Sequence, residues 1–175
     1  MATTKSLQTE KTFTAPIRPA GDLTSGPTGE VDALRLLQTD HTEVATLFEE
    51  YADAEDVVEK EELAQDICAA LTVHAQIEEE IFYPAAREVL EADDLELVNE
   101  ADVEHATIKE LVAQIEDSDA MADHFDATVK ILGEYVKHHV KEEESELFPR
   151  LEETELDMDD LGDRLAARKA ELQRK

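Results

Sequence analysis

The stretch HAQIEEEIFYP at residues 74–84 lines up without a gap with the stretch HVKEEESELFP at residues 139–149. One further histidine stands upstream of each copy, His41 in the first half and His105 in the second. The spacing is also preserved, because 33 residues separate the two histidines of the first half and 34 those of the second. The second half of the chain therefore looks like a copy of the first.

Apolar residues around these blocks recur with a period near 3.6, which predicts amphipathic helices. The prolines at the ends of the two blocks should bend or interrupt the last turns of their helices. Short turns join the apolar stripes, so neighbouring helices should be antiparallel and close as an up-down-up-down four-helix bundle. The predicted helices span about residues 30–52 (A), 56–90 (B), up to 117 (C) and 120–152 (D), with a short amphipathic tail at 158–173.

Composition agrees with an all-α protein of ordinary domain size. The chain has 175 residues, only five glycines, five prolines and no tryptophan, and it lacks a useful run of alternating β-branched residues. We predict a flexible arm over residues 1–29, a four-helix bundle over 30–152, and a C-terminal amphipathic helix over 153–175. The tail could pack against the bundle or against a second copy, so we expect a monomer or a weak homo-oligomer.

The formal net charge of −29 argues against some partners. It would repel nucleic-acid phosphates and anionic membrane surfaces, so neither is an expected partner. No apolar stretch is long enough for a signal peptide or a membrane span, and the cytoplasm is the simplest location. Cys68 is the only cysteine, which excludes a thiolate metal cluster, and we expect it to be a buried apolar residue.

The repeated histidines and glutamates predict a metal site. Histidine and glutamate four residues apart share one helix face, so both can reach the same metal pair. In a bundle of equal hairpins, the four histidines should meet at one level. Buried without metal, such a set would leave polar groups unpaired at about 1–3 kcal/mol each. The candidate ligands are His41, His74, Glu78, His105, His139 and Glu143.

Other polar residues near these blocks are assigned roles outside the ligand set. His138 also lies 33 residues from His105, but the apolar stripe and the alignment with Pro149 favour His139. His124 has no equivalent in the first half and is interpreted as a surface residue. Tyr135, one turn before His139, is either a neighbour of the metal site or ordinary core packing. The acids Glu79, Glu80, Glu142 and Glu144 are assigned to exterior faces.

The doubled block over about residues 30–152 resembles the hemerythrin-like (HHE cation-binding) domains. The resemblance implies a four-helix bundle with a non-haem di-iron centre, bridged by Glu78 and Glu143 and by an oxo or hydroxo group. Manganese and zinc also accept nitrogen and oxygen ligands, but bridging carboxylates favour a redox-active pair. The Glu-x-x-His signature of ferritin-type di-iron proteins is absent from the sequence.

Two departures from the oxygen-carrying hemerythrins argue against plain reversible oxygen carriage. Oxygen-carrying hemerythrins have a histidine where this chain has Lys109, which either lines the ligand pocket or extends into water. The carriers also space the last histidine and its carboxylate one residue further apart. The expected function is binding or sensing of dioxygen, nitric oxide or iron. The alternative is an enzyme that degrades hydrogen peroxide or detoxifies nitric oxide, and a purely structural cluster is the third interpretation.

Overall fold

The computed structural model describes residues 31–174, and every regular element in this range is helical. The all-α prediction is therefore confirmed. The predicted N-terminal arm at residues 1–29 lies outside the described residues. Within them, no helix is both long and apolar enough to cross a lipid bilayer.

The first hairpin consists of α1 (Ala33–Asp53) and α2 (Val57–Ile77). An aspartate caps each start: Asp32 accepts a hydrogen bond from the backbone N–H of Arg35, and Asp56 accepts from those of Val58 and Glu59. Each such cap stabilises its helix by about 1 kcal/mol. The caps fix where the two helices begin, close to the positions that the apolar period predicts.

The second half of the bundle has the same design. Helix α4 (Leu95–Glu116) leads into α5 (Phe125–Glu142). The predicted helix D began near residue 120, whereas α5 begins at Phe125. The reason is local, because the carboxylate of Asp119 accepts a hydrogen bond of 2.8 Å from the backbone N–H of Met121 and so favours a turn over a helix.

A short π-helical segment interrupts each half at the same place. The first (Glu78–Phe82) joins α2 to α3 (Tyr83–Val89), and the second (Glu143–Leu147) joins α5 to α6 (Phe148–Glu152). The interruption predicted from the prolines is thus present, but it begins before them. A proline ring clashes with the carbonyl four residues earlier and has no N–H to donate, so the turn preceding it departs from α geometry.

The bundle core is divided into two apolar clusters with a polar layer between them. One cluster contains Leu37, Phe82 and Leu151, and the other contains Ile67, Ile115 and Leu132. Cys68 is buried in the second cluster, as expected. The residues of the polar layer face inward from the helices of both halves.

Helix α7 (Met158–Leu172) packs against the bundle. Leu161 and Leu165 are buried in the first apolar cluster. At Gly162 the helix comes so close to the start of α1 that a Cβ atom there would lie 1.5 Å from the carbonyl oxygen of Val31. Of the two predicted sites for the tail, the bundle is therefore the one that the structure shows.

Candidate metal centre

The six candidate ligands meet in the polar layer. His41 comes from α1, His74 from the end of α2, His105 from α4 and His139 from the end of α5, while Glu78 and Glu143 begin the two π-helical segments. All six side chains are buried, and Glu78 has no exposed surface. The structure therefore brings together every residue that the repeat singled out.

The histidines form two pairs, one from each hairpin. The Nε2 atoms of His41 and His74 lie 3.1 Å apart, and those of His105 and His139 also lie 3.1 Å apart. Each pair brings the same ring nitrogen of both imidazoles to one point. A cation placed at that point would accept both lone pairs.

Each buried glutamate contacts both histidine pairs. Glu78 Oε2 lies 3.2 Å from Nε2 of His74 and 3.3 Å from Nε2 of His105. Glu143 Oε2 lies 3.3 Å from Nε2 of His41 and 3.5 Å from Nε2 of His139. Either carboxylate is thus positioned to serve two cations at once.

Four further carboxylates, here called the outer carboxylates, hold the other ring nitrogen of each histidine. Glu144 lies 2.8 Å from Nδ1 of His41, and Glu104 lies 2.9 Å from Nδ1 of His139. The remaining two Nδ1 atoms, of His74 and His105, lie 3.4 Å and 3.1 Å from Asp40 and Glu79. Glu79 and Glu144, predicted to lie on exterior faces, are partly exposed and exposed respectively, and each also contacts a histidine of the buried layer.

The outer carboxylates determine the protonation pattern of the rings. A carboxylate accepts a hydrogen bond, so each Nδ1 carries the proton and each Nε2 presents a lone pair to the centre. These lone pairs face the oxygens of Glu78 and Glu143, which are acceptors too. A layer in which the inward atoms of all four histidines and both glutamates are acceptors requires positive charge.

The electrostatics of the layer agree with this requirement. Burial lowers the pKa of His41, but its close contact with Glu143 and the charges of Glu78 and Glu143 prevail and raise the pKa to about 9. Burial raises the pKa of Glu143, yet His41, His139 and His74 lower it to about 2. A proton on His41 thus balances the buried carboxylates where no cation does.

Unsatisfied oxygens identify the same centre. Among the described residues, three buried side-chain atoms have no hydrogen-bond partner: Oε1 and Oε2 of Glu78 and Oε2 of Glu143. Two groups of donor atoms, each lying within 4.8 Å of one another, surround these oxygens. The first group is His41, His74, Glu78 and Glu143, and the second is Glu78, His105 and His139. The donor set fits metal cations that accept nitrogen and oxygen ligands.

A buried tyrosine that sequence reasoning missed also lies in the layer. The Tyr83 hydroxyl donates a 2.9 Å hydrogen bond to Oε1 of Glu143 and lies 3.2 Å from Nε2 of His105. Burial, together with the charges of Glu78 and Glu143, raises the pKa of Tyr83, so the hydroxyl keeps its proton. Tyr135 was the wrong candidate, because its side chain is exposed and belongs neither to the centre nor to the core.

The remaining candidates lie outside the layer. The structure places His139, and not His138, among the buried residues, and His138 is exposed. His124 is exposed as well. Lys109 does not line the inner pocket: its Nζ lies at the surface, 2.7 Å from the Glu79 carboxylate.

A small apolar cavity adjoins the histidines on the side of the second apolar cluster. Its volume is about 10 Å³, close to the minimum for one water-sized molecule. Besides the four histidines, its lining is aliphatic: Val44, Leu71, Ala75, Ile108, Val136 and Val140. The cavity therefore offers space for a very small molecule beside the four histidines.

The fold and the buried layer together define a class, the helical bundles that bind metal cations in their interior. The family profile named hemerythrin HHE cation binding domain matches residues 32–151, and the chain belongs to this family. It is therefore a metal-binding hemerythrin-like protein.

Two known proteins are similar to the chain. The crystal structure of a hemerythrin HHE cation-binding domain-containing protein from Mycobacterium kansasii has a TM-score of 0.70 at 20% identity, covering 82% of this chain and 88% of that one. This similarity shows the fold. A protein of Nostoc sp. named DNA nickase is 35% identical over 114 residues, or 65% of this chain. The chain spans 31% of that relative's length.

Proposed function

We propose that the polar layer holds two iron ions, bound by His41, His74, His105 and His139 and bridged by Glu78 and Glu143. The observation that carries the proposal is the convergence of four Nε2 atoms on two carboxylates whose buried oxygens have no hydrogen-bond partner. Zinc and manganese accept the same donors. Two shared carboxylates favour a redox-active pair over zinc, and of the redox-active metals we assign iron.

The chain's own residues would prepare this centre. The outer carboxylates orient the four rings and keep their Nδ1 atoms protonated, which raises the basicity of each Nε2. The two apolar clusters on either side exclude water from the layer. Bound iron would supply an open coordination position for a small ligand.

We further propose that the physiological ligand is dioxygen or nitric oxide, bound for oxygen or iron sensing. The size and aliphatic lining of the cavity beside the histidines support a diatomic molecule and disfavour a larger substrate. The Tyr83 hydroxyl supports the second candidate, an enzyme that degrades peroxide or detoxifies nitric oxide. It is a buried hydrogen-bond donor in the layer, placed to orient a small substrate beside His105 and Glu143.

The remaining proposals concern macromolecular partners and cellular location. We propose that nucleic acid and membranes are not partners, because a net charge of −29 repels both. The name of the Nostoc relative describes that longer protein. A gel-shift assay with nicked and intact plasmid would detect binding or cleavage, and we expect neither. The cytoplasmic location stays a prediction, to be checked by cell fractionation.

The test of the iron proposal is elemental analysis of the purified protein with absorption spectra recorded without and with air. We expect two irons per chain and a visible band that depends on oxygen. Glu78→Gln should lower the iron content, whereas Glu146→Gln, an exposed glutamate of the second π-helical segment, should not. A protein without transition metal after growth in iron-replete medium would overturn the proposal.

A peroxide assay of the iron-loaded protein then separates the two candidate functions. Steady evolution of oxygen over many turnovers supports the enzyme. A reversible spectral change without turnover supports the binding protein.

A further inference from the structure

A second group of metal-ligand side chains lies outside the buried layer, on the surface between α4 and α5. His138 Nε2 is 3.2 Å from Oε1 of Glu142 and 3.5 Å from Oε1 of Glu104. The three donor atoms lie within 4.8 Å of one another. The group borders an open groove lined by Leu95, Asn99 and Val103, which leaves it accessible to solvent.

The distances match those between atoms bound to one ion. Ligand bonds of 2.0–2.2 Å in a tetrahedral arrangement place neighbouring ligand atoms about 3.3–3.6 Å apart. Both contacts of His138 are close to this range. A fourth position would face the groove, where water can fill it.

Two of the other outer carboxylates, Asp40 and Glu79, differ from this group in how their charge is balanced. Asp40 pairs with Nζ of Lys169, and Glu79 pairs with Nζ of Lys109, so each is balanced by a fixed positive charge. In the described part of the chain, no lysine or arginine nitrogen comes within 4.0 Å of Glu104 or Glu142. Two carboxylates therefore converge on one imidazole with no lysine to balance them.

The group is also connected to the buried layer. While Oε1 of Glu104 faces His138, its Oε2 holds Nδ1 of His139 at 2.9 Å. The same carboxylate thus touches a surface histidine and a buried one. An ion bound at the surface would therefore be coordinated by Glu104, the carboxylate that also orients His139.

We propose that Glu104, His138 and Glu142 form a surface site for a divalent transition-metal cation, separate from the buried centre. The imidazole selects transition metals over magnesium and calcium, which prefer oxygen ligands alone. The net charge of −29 attracts cations to the surface. The site does not depend on the identity of the inner metals, because none of its three residues is an inner ligand.

The test is a titration of the purified protein, carrying its own metals, with Zn²⁺, followed by calorimetry and equilibrium dialysis. The wild type should bind one zinc ion per chain beyond the inner metals. His138→Gln and Glu142→Gln should each weaken this binding at least about tenfold. Mutation of residues that only orient a metal ligand already costs about 10–100-fold in metal affinity, so the loss of a direct ligand should cost at least the lower figure. His124→Gln, the matched exposed histidine, should bind zinc as the wild type does. Glu104 stays unchanged because it also holds His139.

Circular dichroism and the content of inner metal are measured on every variant. A group held only as an ion pair with a protonated His138 would give no zinc uptake in the wild type, which overturns the proposal. Equal uptake by the wild type and His138→Gln would overturn it too. Absence of inner metal from the purified wild type and from every variant would instead count against the iron proposal. The failure of the surface site and the failure of the iron proposal are therefore distinguishable.

Discussion

Tyr83 and Phe148 occupy equivalent positions in the two copies of the repeat, and a single hydroxyl distinguishes them. The Phe148 ring stacks on His41 at 6.1 Å, whereas the Tyr83 hydroxyl binds Glu143 and lies beside His105. The two histidine pairs therefore have different neighbours. One pair is next to a proton donor, and the other is next to a hydrocarbon ring.

Replacing Tyr83 by phenylalanine would make the two halves alike. We expect Tyr83→Phe to lower the free energy of unfolding by about 1–2 kcal/mol, because Oε1 of Glu143 loses its buried donor. The measurement is urea unfolding followed by circular dichroism. Tyr135→Phe, at an exposed position, is the control and should change little. Equal midpoints for the two variants would contradict this account of Tyr83.

Cys68 should resist thiol reagents in the native protein. Burial, aided by the charge of Glu116, raises the pKa of its thiol to about 11, so at pH 8 almost none of it is the reactive thiolate. We expect no rapid labelling by a disulfide reagent at pH 8 and one equivalent per chain after denaturation. The fraction of thiolate should become appreciable only as the pH approaches 11. Rapid stoichiometric labelling of the folded chain would show that the second apolar cluster opens readily.

At the level of residues, the repeat predicted which six side chains would meet, since two matching copies reduce the influence of chance spacing. The outer carboxylates were within reach of the same comparison, because Asp40 matches Glu104 and Glu79 matches Glu144. Each of them acts on a histidine of a different helix, which periodicity along one helix cannot reveal. Tyr135 failed for the opposite reason, since its spacing from His139 fits but its side of α5 faces solvent.

At the level of elements, the π-helical segments explain how one helix contributes two groups to the layer. Residues five apart in an α-helix point about 140° away from each other. In each segment the N–H of the sixth residue bonds to the carbonyl of the first, as Tyr83 does to Glu78, which brings residues five apart to the same side. Glu78 and Tyr83 can therefore both reach the centre, as can Glu143 and Phe148.

The sequence predicted the helices well but could not predict these segments. Capping aspartates and the apolar stripe determine helix starts, and both can be recognised in the sequence. The prolines indicated an interruption, yet the choice of a π turn depends on packing in the layer that a local pattern does not contain. The turn before α5 was missed in part because the helix-forming residues after Asp119 gave no sign of a later start.

The close approach of α7 to the bundle gives a test at this scale. Gly162→Ala should lower the free energy of unfolding by about 1–3 kcal/mol, because the added methyl group would overlap the backbone of Val31. The cost of this overlap exceeds the gain in helix propensity from alanine. Asp163→Ala, at the exposed neighbouring position, is the control. Thermal unfolding and limited proteolysis of α7 measure the effect. Stability equal to that of Asp163→Ala would mean that α7 does not pack as described.

At the level of the whole molecule, a layer of buried acceptors divides the core into two apolar clusters. Without cations this layer opposes folding, since its carboxylates are taken out of water without full compensation. With cations the same residues join all the helices of the bundle. Metal and fold should therefore stabilise each other, whatever the metal is.

Removal of the metal should destabilise the protein. A ligand present at 100 times its dissociation constant stabilises a fold by about 2.7 kcal/mol, so exhaustive chelation should lower the thermal midpoint by at least about 5 °C. Adding ferrous iron without air should restore it. Calcium, which prefers oxygen ligands alone, is the control and should not. Identical midpoints before and after chelation would show that the layer folds without help from cations.

The contact between Asp40 and Lys169 joins two parts of the chain that the ribosome makes at different times. Asp40 supports His74 in the first hairpin, but its lysine comes from α7, 129 residues later in the chain. At about 5–20 residues per second, a ribosome needs roughly 6–26 s to cover that distance. During this interval the carboxylate that contacts His74 lacks its balancing lysine, and it gains that positive charge only after α7 has emerged from the ribosome.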